Sequence, residues 1–193
     1  MDQSPFQPNS PYYEKLRALL RAAGSREELL EAIVNAPFHE LRQTTHLDLG
    51  IIALLVVNKK GGTIDTLALS DTELARGAAE MAEKPFGDIR IPLGDSKNIV
   101  ARAIATGQPQ AAADWKFLAA PALPVQAARL NQAGGGIEYS QVYPLLAGDG
   151  GALIFSFFQP GSNIGPDHIA FMEAYTRIVD DALVAAQHSP TEL

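Results

Sequence analysis

The residues able to do chemistry in this chain are few, and most are spaced so that they cannot act together. There are four histidines, His39, His46, His168 and His188, and no cysteine. His39 and His46 are seven apart, two helical turns, which puts them on one side of a helix but too far apart to share an ion directly. His168 follows Asp167 and reads as half of a helix-start pair. The absence of cysteine removes disulfides, thiolate metal ligands and thiol nucleophiles. No G-x-S-x-G occurs, so there is no nucleophile elbow. The glycine runs Gly134 to Gly136 and Gly148 to Gly151 match neither a P-loop nor a dinucleotide fingerprint. The first leads into a strand rather than a helix N-terminus, so it lacks the free amides that hold phosphate. Both read as turns. The adjacent pairs Glu27-Glu28 and Asp180-Asp181 point apart on helices and read as solvated charges. These residues give no reason to expect an enzyme, a metal or a cofactor.

Ligand binding is better served. A pocket needs apolar walls and a few polar groups aimed inward. The segment from Asp114 to Gln132 holds Asp114, Trp115, Lys116, Phe117, Arg129, Asn131 and Gln132. Trp115, the sole tryptophan, stands at the end of a strand. There it can lie flat on a planar ligand and donate one hydrogen bond, or close the end of the core. Arg129 and Gln132, three apart on a helix-like piece, share a face. They suit an anionic or amide-bearing ligand, or equally a solvent-facing pair. Ser140 and Ser156 are polar positions in apolar strands, facing a pocket or solvent. Tyr139 and Tyr143, four apart on one strand, share a face. The expected ligand-binding set is therefore Asp114, Trp115, Phe117, Arg129, Gln132, Tyr139 and Tyr143.

These residues are positioned by elements that the sequence marks out. Residues 1–10 are rich in Pro, Ser, Asn and Gln and are expected to be disordered. A flanking helix follows over 11–24, with Leu16, Leu19, Leu20 and Ala23 at helical spacing. Ser25 and Glu28 form a capping-box pattern. The helix it opens carries Leu29, Leu30, Ile33, Val34 and Leu41, with a kink or break expected at Pro37. Gly50 to Val57 is a continuous apolar run, a strand covered on both faces. The turn Asn58 to Gly62 returns it through Thr63 to Ser70. A helix over Asp71 to Glu83, a strand over Ile89 to Leu93 and a helix over Ser96 to Thr106 follow, the last closed by Gly107. Ala111 to Asp114 is extended, and Trp115 to Gly136 is the least regular part. Tyr139 to Leu146 and Ala152 to Phe158 make a hairpin. A closing helix begins near Asp167 and runs to about Gln187, leaving 188–193 as a tail. It carries two apolar stripes, Phe171, Tyr175, Ile178, Ala182, Ala185 and Met172, Val179, Leu183, Ala186. They form either one wide core face or a core face beside a dimer seam.

The composition fits a folded domain: of 193 residues, 47% are hydrophobic and 19% charged. A net charge of −7, with no cluster of Lys and Arg, argues against nucleic acid. No apolar stretch approaches the length of a membrane span, and no secretory leader is evident. The expected location is the cytoplasm, without direct membrane insertion.

The order of these elements resembles a GAF domain, a small-molecule sensing module of signalling proteins. The likeness lies in Ile91-Pro92-Leu93-Gly94, Ala105-Thr106-Gly107-Gln108-Pro109, Asp114 and Val142-Tyr143-Pro144-Leu145, and covers residues 25–187. It implies an α+β fold, an α/β sandwich. A central antiparallel sheet would have helices on both faces, with the N- and C-terminal helices packed together. By this likeness the ligand lies on the face away from the terminal helices, roofed by Trp115 to Gly136. The terminal helices would form a homodimer and carry the signal to an output domain or partner not yet named. Bilin attachment and free methionine sulfoxide reduction in such folds use cysteine, which this chain lacks. The cyclic-nucleotide pattern N-K…F…D-E is reduced to Asp167 within Phe158-Gln159-Pro160, Ile164 and Asp167-His168. The resemblance therefore implies a sensory domain for an unidentified small molecule. The alternative is a ligand-free dimerisation module.

Overall fold

The computed structural model describes residues 6, 10–44 and 47–188. Its frame is a six-stranded sheet. β1 (Leu49–Asn58) and β2 (Thr63–Leu69) form the first hairpin, and β3 (Arg90–Pro92) extends it. β4 (Gln110–Ala112), β5 (Tyr139–Leu145) and β6 (Gly151–Phe157) complete the sheet. The order is β3-β2-β1-β6-β5-β4, with every pairing antiparallel. β1 lies near the middle and is buried along most of its length, as its unbroken apolar run requires. Because side chains alternate across a strand, β1 feeds two cores. Ile52 and Leu54 face one, while Ile51, Ala53 and Leu55 face the other.

The first core is covered by α1 (Pro11–Arg21), α2 (Arg26–Thr44) and α7 (Pro166–His188). The first half of the capping box forms, with Ser25 Oγ accepting from Glu28 N at 3.1 Å, while the Glu28 carboxylate reaches one residue past the cap and accepts from Gly24 N at 2.7 Å. The expected break at Pro37 does not occur; α2 is helical across it. Pro37 has no N–H for the carbonyl of Ile33 four residues earlier, and the Tyr175 hydroxyl donates to that carbonyl instead, at 2.7 Å. Tyr175 stacks on Phe171, with ring centroids 5.6 Å apart. Of the segment expected to be disordered, Phe6 is buried against Tyr12 and Phe171. Residues 1–5 and 7–9 lie outside the described residues, as do His46 and residues 189–193 of the expected tail.

The two stripes of α7 share one core as far as Val179: Phe171, Met172, Tyr175, Ile178 and Val179 are all buried. Ala182 and Leu183 are partly buried, and Val184, Ala185 and Ala186 lie at the surface. Asp180 is not the solvated charge expected. Its carboxylate accepts from Leu146 N and Ala147 N, each at 3.0 Å, and so fastens the tip of the β5–β6 hairpin to α7.

The second core is covered by α3 (Glu73–Glu80), α4 (Ile99–Thr106), α5 (Lys116–Ala119) and α6 (Val125–Gly134). α4 begins three residues later than expected because Asn98, not Ser96, is its N-cap. Gly107 closes it at φ 65°, the left-handed conformation that glycine adopts without a side-chain clash. The stretch expected to be least regular, 115–136, holds two helices. The architecture is the expected α+β sandwich, with helices on both faces and the terminal helices α1 and α7 packed together.

Candidate functional site

The roof over the second core is built from short elements fastened by side chains. β4 ends at Ala112, and the chain turns inward at Trp115, which is 8% exposed. The Trp115 ring meets the edge of Phe86 at 6.5 Å between centroids. Its indole Nε1 donates to Ser140 Oγ at 2.9 Å, and Ser140 Oγ lies 2.8 Å from Ser156 Oγ. Both serines are almost fully buried. They are register partners across β5 and β6, so their hydroxyls meet on one face. The core that holds the Trp115 ring is apolar, with Leu118, Leu123, Ala127, Ala128, Ile137 and Val142 among its members. Among the described residues no charged side chain is buried.

Gln132 ties the two ends of the roof together. Its Oε1 accepts from Trp115 N at 2.9 Å, and its Nε2 donates to the carbonyls of Ala113 at 2.8 Å and Ile137 at 3.0 Å. Outside this clamp, Arg129 Nε and Nη2 donate to one oxygen of Asp114 at 3.0 and 2.7 Å. The other Asp114 oxygen accepts from Lys116 N at 2.9 Å. The Arg129 hydrogen bonds are the main reason the Asp114 carboxyl is held below the usual carboxylate range; burial opposes them. The Arg129 side chain is 51% exposed and the Asp114 side chain 27%, so the pair is a surface latch.

Two further side chains hold the roof to the helices beneath it. Asn98, 1% exposed, accepts from Val100 N and Ala101 N as the cap of α4. Its amide also donates to the carbonyls of Leu118 at 2.7 Å and Ala120 at 2.9 Å. Asn131, equally buried, donates to the carbonyls of Ala127 and Met81, each at 3.0 Å, in the amide orientation that satisfies its neighbours. α3 and α6 touch backbone to backbone where Gly77 meets Gly134; a Cβ on either residue would overlap the carbonyl oxygen of the other.

Of the seven residues expected to bind ligand, four come together: Asp114, Trp115, Arg129 and Gln132. Phe117 turns outward, 44% exposed. It lines a shallow surface groove of about 250 Å³ with Asp95, Lys97, Lys116, Ala120, Pro121 and Val125. Tyr139 and Tyr143 do share a face, but it is the face of the first core. Tyr143 packs edge-on to Phe155 at 5.8 Å. The reason is parity: Ser140 faces the roof, so its odd-numbered neighbours face away from it. The serines themselves were a detectable signal, since counting outward from the hairpin tip sets 140 opposite 156. Asn98 was detectable as an Asn just before an apolar helix, although its second role was not.

Histidine plays a structural part at the other end of the sheet. His168 Nδ1 accepts from Gly165 N at 3.1 Å, and its Nε2 lies 3.1 Å from the carbonyl oxygen of Leu47. Among the described residues no group of three His, Asp or Glu could hold a metal. None of their helices is long and apolar enough to cross a membrane.

No protein-family model and no curated protein matches the sequence. Solved structures do match. A protein described as a GAF sensor, from Burkholderia vietnamiensis, superposes with a TM-score of 0.62 at 18% identity, over 97% of this chain and 95% of that one. The GAF domain of a two-component sensor histidine kinase from Bacillus halodurans gives 0.58 at 14%, over 86% and 97%. A free methionine-R-sulfoxide reductase from Neisseria meningitidis, solved with its substrate, gives 0.60 at 12%, over 92% and 89%. At these identities the likeness is one of fold, and the fold is GAF-like, of the kind found in signalling proteins.

Proposed function

We propose that this chain is a sensory module whose small-molecule site is the roof face of the sheet, closed in this conformation by Trp115. The observation that carries the reading is the buried serine pair. Two hydroxyls in an otherwise apolar core are costly unless they bond, and here the indole N–H supplies the third member of the line. A domain that only needed a packed core could place apolar residues at 140, 156 and 115. A ligand that displaces the indole would bind without turnover and favour an open roof by its differential affinity for that state. Two connections could carry the change to an output: β5 holds Ser140 at one end, and Asp180 of α7 holds the hairpin tip at the other. In this reading α1 and α7 are the output face, where a second copy would dock beside Leu19 and Val184, which are 42% and 40% exposed.

The test is a screen of nucleotides, amino acids and organic acids, read by thermal stability and Trp115 emission. A ligand that raises the melting temperature and shifts that emission supports the reading. Stabilisation that leaves Trp115 unmoved places the site elsewhere.

One observation favours a second reading, a ligand-free dimerisation module. Trp115, Asp114, Arg129 and Gln132 all find partners within the chain. Absence of any hit, with a stable dimer by light scattering, supports that reading over the first.

A further inference from the structure

We infer that the roof face takes an uncharged, flat heteroaromatic molecule with a ring N–H, one that repeats the contacts Trp115 now makes. The inference rests on the reading of that face as a ligand site and adds the class of ligand. Trp115 is in effect an intramolecular occupant. Its ring belongs to the same apolar core as Leu118, Leu123 and Val142 and lies edge-on to Phe86. Its single polar atom is 2.9 Å from Ser140 Oγ, which is backed at 2.8 Å by Ser156 Oγ. A molecule replacing the ring must fill a slot of bicyclic size and satisfy that one oxygen. A ligand with no polar atom at that point would leave the buried hydroxyl short of a partner, and one with an N–H there repeats the bond that the indole makes.

Charge decides the rest of the class. On the sequence alone, Arg129 pointed towards an anionic or amide-bearing ligand. In the fold, Arg129 is outside the clamp and committed to Asp114 through two hydrogen bonds. Among the described residues no cation is buried, so a carboxylate or phosphate in the slot would lose its hydration and gain no counter-charge. Exchange of occupants is also feasible in terms of connections. Trp115 precedes a four-residue helix and keeps 8% of its surface exposed. The Asp114–Arg129 latch beside it is solvent-exposed, where such pairs contribute little.

The experiment uses the whole chain labelled with 15N. As Trp115 is the only tryptophan, it gives the only indole N–H resonance. Three probes are titrated: indole, 1-methylindole and indole-3-acetate. The expected result is that indole moves the Trp115 Nε1–H signal to a solvent-exposed position and raises the melting temperature. 1-Methylindole, lacking the donor, should bind about 10-fold more weakly, and indole-3-acetate more weakly still. Ser140→Ala should bring indole and 1-methylindole to within about 2-fold of each other, with the far-ultraviolet circular dichroism unchanged. Preference for indole-3-acetate, with Trp115 still displaced, overturns the ligand class and leaves the sensory reading standing. If none of the probes moves Trp115 in the wild-type chain, while Trp115→Ala takes up indole, the ring is a fixed part of the core. That result overturns both.

Discussion

Asn98 offers a sharp test of how the roof is held, because two substitutions separate its two roles. Asn98→Ala removes the cap of α4, which costs about 1 kcal/mol. It also strips the carbonyls of Leu118 and Ala120 of the donors 2.7 and 2.9 Å away. A buried acceptor left without a partner costs about 1–3 kcal/mol. The Leu118 bond is buried and the Ala120 bond partly so, which sets the combined loss at about 3–4 kcal/mol. At roughly 2–4 °C per kcal/mol for a domain of this size, the melting temperature falls by about 6–16 °C. Asn98→Asp keeps the oxygen that accepts both cap bonds and adds a negative charge at a helix N-terminus, which by itself is favourable. Yet it turns a carboxylate towards two carbonyl oxygens. The expectation is that Asp is no better than Ala. Urea denaturation followed by circular dichroism measures both. An Asp variant within about 0.5 kcal/mol of wild type would mean that the amide donors contribute nothing and that the cap is the whole effect. Loss of less than about 1 kcal/mol in the Ala variant would refute the double role altogether.

Gly77→Ala should destabilise by about 1–3 kcal/mol, because the new Cβ meets the Gly134 carbonyl oxygen and forces α3 and α6 apart; denaturant midpoints and a red shift of Trp115 emission report it. The Asp114–Arg129 latch predicts a pH dependence of definite sign. The Asp114 carboxyl lies below its ordinary value in the folded state. Its contribution is therefore fully present above about pH 4 and disappears as the pH falls through the depressed value. The stability difference between wild type and Asp114→Asn should follow that course in acid titrations of the urea midpoint, and a difference constant across the acid range would contradict it. Tyr175→Phe should weaken the fold by about 1–3 kcal/mol, since the buried Ile33 carbonyl loses the donor that replaces the N–H missing at Pro37. An unchanged midpoint would show that α2 satisfies that carbonyl in another way.

What could be read from the sequence was local. The unbroken run Gly50 to Val57 reports a strand buried on both faces. Ser25 with Glu28 reports a helix start, and Gly107 a helix end, because each signal lies within a few residues of what it controls. Features set by distant partners were harder to read. Pro37 argues for a break until Tyr175, far along the chain, takes the freed carbonyl. Tyr139 and Tyr143 share a face by parity, but which face depends on Ser140 meeting Trp115. Arg129 looks free for an anion until Asp114 is folded against it. Phe117 and Trp115, two residues apart, take opposite sides because α5 is short and only one of them can reach the serine pair. Asp180 looks solvated until the hairpin tip folds onto α7. The GAF-like frame was legible because element order survives where individual contacts cannot be seen.

Sensing by displacement of Trp115 requires the roof to open apart from the rest of the fold. Hydrogen exchange of the ligand-free chain tests this most directly, by comparing the Trp115 indole N–H with the backbone amides of Leu54 and Phe155 in β1 and β6. The indole proton is expected to exchange through local opening, with a free energy at least about 1–2 kcal/mol below that of the central strands. Exchange of all three through the same global opening would mean that Trp115 is fixed in the core and that the roof does not open by itself.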